Sequence, residues 1–359
     1  MKKYLVIGFL VSSFITAAEY SDLFELQNEP LKGERIVTKG QDLVRVAQES
    51  ADFLSKIHKS KYTTVSAGLF KEYGITLDQV RETLEFIAET GLKRPRLLSS
   101  PWFFNMNFTF YRWYGDTKVE LPSLPRGWKG PPECIRTTQY RITEIPGSKK
   151  KTAKYFYGLY EIPKDEIQLT PKEKNQYKDS LVRFKYSRSQ IVAGALESNA
   201  STKPLAWVTE KGRREFAMQG SALINFKDGE KKLLRVAGSN GQPGVEKYWY
   251  ACEVSKRPVN SDFPVKVKPR ADVTYAGDIK LLGFGKIIAL VGWNSERQEM
   301  QTRLGVLVDT GGAFKNNLSK LDMFTGYFKD EISFKRHITS YPHTAQAYIL
   351  IKKNMIHLS

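Results

Sequence analysis

The amino-acid sequence predicts a mainly β protein with an α-helical region in front of the strands, and two observations carry that reading. Beyond Pro132, short runs rich in β-branched and aromatic residues recur between clusters of Gly, Pro, Asn or Lys, as strands joined by turns do. Before that point the apolar residues return at spacings of three and four, the period of a helix with one buried face.

Along the chain, Lys2 and Lys3 precede an apolar run from Tyr4 to Ile15, and the small residues Thr16, Ala17 and Ala18 follow it. That order is the pattern of a secretory signal, so export and removal of residues 1–18 are expected. A dozen or so apolar residues fall short of the ~20 that a bilayer-spanning helix needs, and no later stretch comes closer, so no membrane span is expected. Between Gln41 and His58, the residues Leu43, Val46, Ala47, Leu54 and Ile57 share one helical face. A second helix places Leu77, Val80, Leu84 and Ile87 together; Thr76 and Gln79 form its capping box and Gly91 is expected to end it. The stretch "PWFFNMNFTFYRWYGD" alternates in the manner of a strand, and "LPSLPRGWKGPP" breaks regular structure. The segments "TAKYFYGLYEIP", "SALINF", "KLLRVAG", "EKYWYACEV", "KIIALVGW" and "RLGVLVDT" are the strand candidates, and they suit β-barrels.

With 359 residues, two domains are expected. The formal net charge of +18 favours an anionic partner, and export argues that this is a wall polymer rather than nucleic acid. Two cysteines and four scattered histidines (His58, His337, His343, His357) give no metal-ligand spacing, so neither a metal nor a cofactor is expected. In "VLVDTGGAFK" an aspartate, Asp309, stands where an apolar strand gives way to two glycines, either to cap a turn or to present a carboxylate. The sequence continues as "DTGGAFKNNLSKLDMFTGYF", placing Asp322 before Met323 and Phe324, and upstream "ADVTYAGDIKLLGFGK" sets Asp278 ahead of a Leu-Gly turn.

These three segments together resemble the three-aspartate domain of the membrane-bound lytic murein transglycosylase A family. "SRSQIVAGAL", the Gln-Gly-Ser of "FAMQGSALINFKDGEKKLLRVAGSNGQPG" and "TTQYRITEIP" resemble further segments of that family, in order, from about Thr137 to Tyr348. Three features depart from it. Few residues separate the Gly241 turn from "EKYWYACEV", the family's Thr-Gly-Tyr-Tyr is Thr138-Gln139-Tyr140-Arg141 here, and the interval from Asp309 to Asp322 is slightly long.

The resemblance implies a double-psi β-barrel with its N-terminal helices (19–143 plus 256–359), interrupted by a smaller β-domain at 144–255. It also implies a monomeric enzyme of the bacterial periplasm or envelope that cleaves the bond between N-acetylmuramic acid and N-acetylglucosamine in peptidoglycan glycan strands. The muramyl C6 hydroxyl attacks its own C1, so one acid suffices to protonate the leaving oxygen and then accept the hydroxyl proton. Asp322 matches that acid. Its carboxyl must hold a proton near neutrality, and Leu321, Met323, Phe324 and Asp309 are the expected causes. Asp309 and Asp278 are expected in support. Gln219, Gly220, Ser221, Thr138, Tyr140, Gly311, Gly312 and Lys315 are the candidate substrate contacts. Because Cys134 and Cys252 flank the implied insertion, whose entry and exit must lie close together, a disulfide between them is expected. Two other readings remain: a noncatalytic wall-binding protein, and an aspartic protease using Asp309-Thr310-Gly311 as one half of a dimer.

Overall fold

A computed structural model describes residues 21–57, 65–115, 133–254, 267–311 and 314–354. The signal-like segment, the proline-rich stretch at 121–132, His58, His357 and Gly312 lie outside the described residues. In chain order the elements begin with β1 (Phe24–Gln27), β2 (Arg35–Ile36), α1 (Gly40–Ile57), α2 (Leu77–Lys93), α3 (Pro101–Asn107), β3 (Phe108–Trp113) and β4 (Ile135–Pro146). They continue with β5 (Tyr157–Tyr160), α4 (Pro171–Gln176), α5 (Val182–Lys185), α6 (Arg188–Val192), β6 (Pro204–Val208), α7 (Glu210–Gln219), β7 (Ser221–Asn225), β8 (Lys231–Ser239) and β9 (Trp249–Glu253). The last part holds β10 (Thr274–Ala276), α8 (Ile279–Leu282), β11 (Ile287–Asn294), β12 (Glu299–Asp309), β13 (Lys320–Phe328), α9 (Glu331–His337) and β14 (Thr344–Lys352). Among the described residues no helix is long and apolar enough to cross a membrane.

The leading helices follow their sequence period. Leu43, Val46, Ala47 and Leu54 of α1 are buried, as are Val80, Leu84 and Ile87 of α2, and the Thr76–Gln79 capping box is formed in both directions. Gly91, however, does not end α2, which runs on to Lys93. Its role is close approach: a Cβ there would stand 2.1 Å from Val44 Cγ2 and 2.8 Å from Leu98 Cδ1. An interior Gly→Ala change ordinarily stabilises a helix by ~1 kcal/mol. Gly91→Ala is expected instead to destabilise by about 1–3 kcal/mol through overpacking, read as a lower thermal midpoint. A higher midpoint would show that α1 yields at no cost.

The aromatic stretch expected to be one strand is helix first and strand second. Ser100 accepts from the Phe103 amide and Pro101 fills the first helical position, so Pro101–Asn107 coils before β3 begins. The Ser-Pro pair was the readable signal, and the aromatic alternation masked it.

Six strands close on themselves in the order β14-β11-β12-β10-β13-β4, with β4 returning to β14 through Arg136 opposite Thr344 and Ile135 opposite Ala345. Residues 287–291 of β11 are all buried, because one face looks into this ring and the other is covered, as continuous apolar strands require. Outside the ring, β3 and β1 extend the sheet from β14. On the other side β7 joins β4 in parallel, with Thr143 opposite Ala222, and β8 and β9 follow. A second apolar core gathers there around Tyr157, Tyr160, Trp207, Phe216, Ile224, Tyr248 and Tyr250, apart from the core of the ring and the leading helices.

The expected Cys134–Cys252 bridge is not formed. Cys252 is in register with Arg235, which faces Ser221, and that level of the sheet meets β4 near Ile142. Ile142 is eight residues past Cys134. At ~3.3 Å per residue the two sulfurs are roughly 25 Å apart along the strands alone, whereas a disulfide needs Cα atoms within about 7 Å. The premise failed because β4 is long: it carries the chain away from Cys134 before the added strands begin.

Candidate active site

The site is assembled where β12 ends and β13 begins. Asp322 on β13 is in register with Thr138 of β4 on one side and Ala276 of β10 on the other. Ala276 is also in register with Asp309 of β12. The two aspartates therefore flank one residue of β10, two strand spacings or about 10 Å apart at Cα.

Asp322 accepts a hydrogen bond from the Thr138 hydroxyl, and its Oδ1 lies 3.2 Å from Lys320 Nζ. Strand alternation puts Lys320, Asp322 and Phe324 on one face and turns Leu321 and Met323 into the core, so those two are not the neighbours expected of the acid. Burial of the carboxyl itself is the main cause that raises its pKa above the ordinary aspartate value. Lys320 and Arg136 pull it down, and Asp309 adds a smaller upward push.

Asp309 is held on both oxygens. Oδ1 pairs with the Arg235 guanidinium and accepts from the Thr310 amide at 2.7 Å, and Oδ2 accepts from the Tyr140 hydroxyl at 2.8 Å. Burial first, and Asp309 next, push the Tyr140 hydroxyl well above its usual pKa, so it stays a donor. Asp278 is likewise spent on backbone: Oδ1 accepts from Lys280 and Leu281 amides at the start of α8, and Oδ2 from the Asn316 amide at 2.7 Å. It ties the turn before α8 to the loop between β12 and β13.

Gln219 closes α7, Gly220 takes the left-handed conformation (φ 71°) that ends that helix, and Ser221 opens β7 directly opposite Arg235. The segment thus borders the same corner of the fold as Asp309. Gly311 and Lys315 are exposed. The lysine that meets the acid is Lys320, which also lies 5.1 Å over the Phe314 ring. Sequence reasoning missed Lys320 and Arg235. The first had a signal, two residues before Asp322 on one strand; the second had none, being 74 residues from its partner. Among the described residues no group of His, Cys, Asp and Glu is arranged to hold a metal ion.

A six-strand ring that carries an aspartate whose pKa is raised by burial, with a second β unit added at β4, defines a recognisable class. Residues 136–246 match the family model of the MltA specific insert domain. The chain carries that insert and the fold of the MltA proteins. Among solved structures it is similar to a membrane-bound lytic murein transglycosylase from Agrobacterium tumefaciens, at 17% identity and a TM-score of 0.60 over 92% of this chain and 97% of that one. It is similar to E. coli MltA with bound chitohexaose at 17% identity and a TM-score of 0.53, over 93% and 96% of the two chains. For MltA from Neisseria gonorrhoeae the values are 14% and 0.53, over 90% and 96%. Among curated proteins none matches the chain in sequence.

Proposed function

We propose that the chain is an exported peptidoglycan lytic transglycosylase, cleaving the β-1,4 bond between N-acetylmuramic acid and N-acetylglucosamine with closure of a 1,6-anhydro ring. The observation that carries this reading is the contrast among three carboxylates: burial favours a proton on Asp322, whereas Asp309 and Asp278 have both oxygens engaged. Such an arrangement supplies one acid and no spare nucleophile, which is what attack by the substrate's own hydroxyl requires. Asp322 gives its proton to the glycosidic oxygen as the C1–O bond breaks. The muramyl O6 then bonds to C1, and its proton returns to Asp322. Ordinary glycosidases need a second carboxylate at a set separation instead.

The MltA-specific insert and the chitohexaose bound by E. coli MltA support a glycan ligand here. On this reading the chain divides into 19–143 with 256–359 and an insert at 144–255, the glycan lying between them. Thr138 and Tyr140 orient the two aspartates. Gln219 and Ser221 are the proposed acetamido contacts and Lys315 the reach toward a stem-peptide carboxylate. The protease reading sits poorly with Arg235, whose ion pair with Asp309 opposes the shared proton that a dimeric dyad needs.

Incubating the purified protein with sacculi and identifying the soluble products by mass spectrometry tests the proposal. Anhydromuropeptides are the expected products. Reducing ends in their place would mean hydrolysis, and binding without release would leave a noncatalytic wall protein.

A further inference from the structure

Arg235 leaves a strand outside the ring and reaches a strand within it. Counted along the sheet, β8 is two strands beyond β4 on one side, and β12 is three strands from β4 on the other. Only the curl of the ring brings the guanidinium onto Asp309 Oδ1, where the Tyr140 hydroxyl from β4 meets the other oxygen. Both side chains are largely withdrawn from water, with 24% of Arg235 and 12% of Asp309 exposed, so their charges are weakly screened.

We propose that Arg235 is a positioning residue for proton transfer by Asp322: its pairing with Asp309 fixes the added strands against the ring and partly offsets the Asp309 charge in the field at the acid. This rests on the proposed activity of Asp322 and goes beyond it, because nothing in the local sequence or the three aspartates assigns Arg235 a part. The charged and titratable groups around Asp322 are Lys320 on its own strand, Arg136 and Tyr140 on β4, and Asp309 on β12. Ala276, its neighbour on β10, carries no charge. Of the acidic groups Asp309 is the one that favours protonation of Asp322, and Arg235 is the cation bonded to it.

The expected consequences have opposite signs. In Arg235→Met the bare Asp309 charge, two strands away from the acid, should move the titration of Asp322 upward by roughly one pH unit. In Asp309→Asn the orphaned guanidinium should move it downward. The double variant should return near the wild-type position, and Arg235→Lys should stay close to it. Two readouts apply: the Asp322 carboxyl titration followed by carbon NMR, and the high-pH limb of the rate of anhydromuropeptide release.

Opposite shifts that cancel in the double variant support the proposal. A slower enzyme whose Asp322 titration stays in place in all four variants would reduce Arg235 to a structural tie and overturn it. Should Arg235→Met fail to fold, the downward shift in Asp309→Asn and its absence in Arg235→Lys carry the test. Because the NMR titration needs no turnover, a protein with the predicted shifts but no anhydro products would sink the proposed activity while keeping the electrostatic coupling.

Discussion

Asp322→Asn is expected to lower turnover on purified sacculi by at least ~10²-fold while the protein still binds the polymer. Asparagine keeps the size of the side chain and an acceptor for the Thr138 hydroxyl, but it holds no transferable proton. Asp309→Asn should be milder, since its carboxylate is bonded to Arg235, Tyr140 and a backbone amide rather than poised for transfer. The pH dependence of the wild type has a definite sign. A general acid works in its protonated form, and burial raises the pKa of Asp322, so activity should persist above the ordinary carboxylate range and fall as pH rises through the raised value. Near wild-type turnover in Asp322→Asn would place the chemistry on another residue.

Lys286→Met is expected to stabilise the protein by several kcal/mol near neutral pH, an unusual gain for one substitution. Lys286 is fully buried just before β11, its Nζ has no hydrogen-bond partner among the described residues, and it stands 5.2 Å over the face of Phe70. Burial alone pushes its pKa down to about 7. Against a reference near ~10.4, at about 1.4 kcal/mol per unit, that is a cost on the order of 4 kcal/mol at neutral pH. The unfolded chain binds the extra proton between pH ~7 and ~10.4, so wild-type stability rises with pH across that window and the advantage of Lys286→Met shrinks. Below pH ~7 the gap is constant. Methionine fills a similar volume and can place its sulfur against Phe70. Denaturant unfolding of both proteins at pH 7 and pH 10 checks this. A gap of equal size at the two pH values would show that Lys286 keeps its charge in the native state.

Local rules made much of the fold legible. Apolar residues at helical spacing marked α1 and α2, the Thr76–Gln79 box fixed where α2 begins, and β-branched runs between turns marked β7, β8, β11 and β12. The same rules failed where two local signals competed, as in Pro101–Asn107, and where a residue's meaning came from a distant partner, as for Gly91 against Val44.

By itself, the sequence determined that α1 and α2 are helices with one buried face and that Asp309 stands at a strand end, because each depends on neighbours within a turn or two of the chain. Tertiary structure alone decided that β4 closes the ring onto β14, that Asp322 and Asp309 flank Ala276, and that Asp278 is spent on backbone amides. It also separated the two cysteines and brought Arg235 to Asp309. The physical reason is register. Strand alternation and pairing fix which side chains share a face, and ring closure fixes which faces meet across tens of residues. No short-range pattern encodes either, since both emerge only when the apolar faces are buried together.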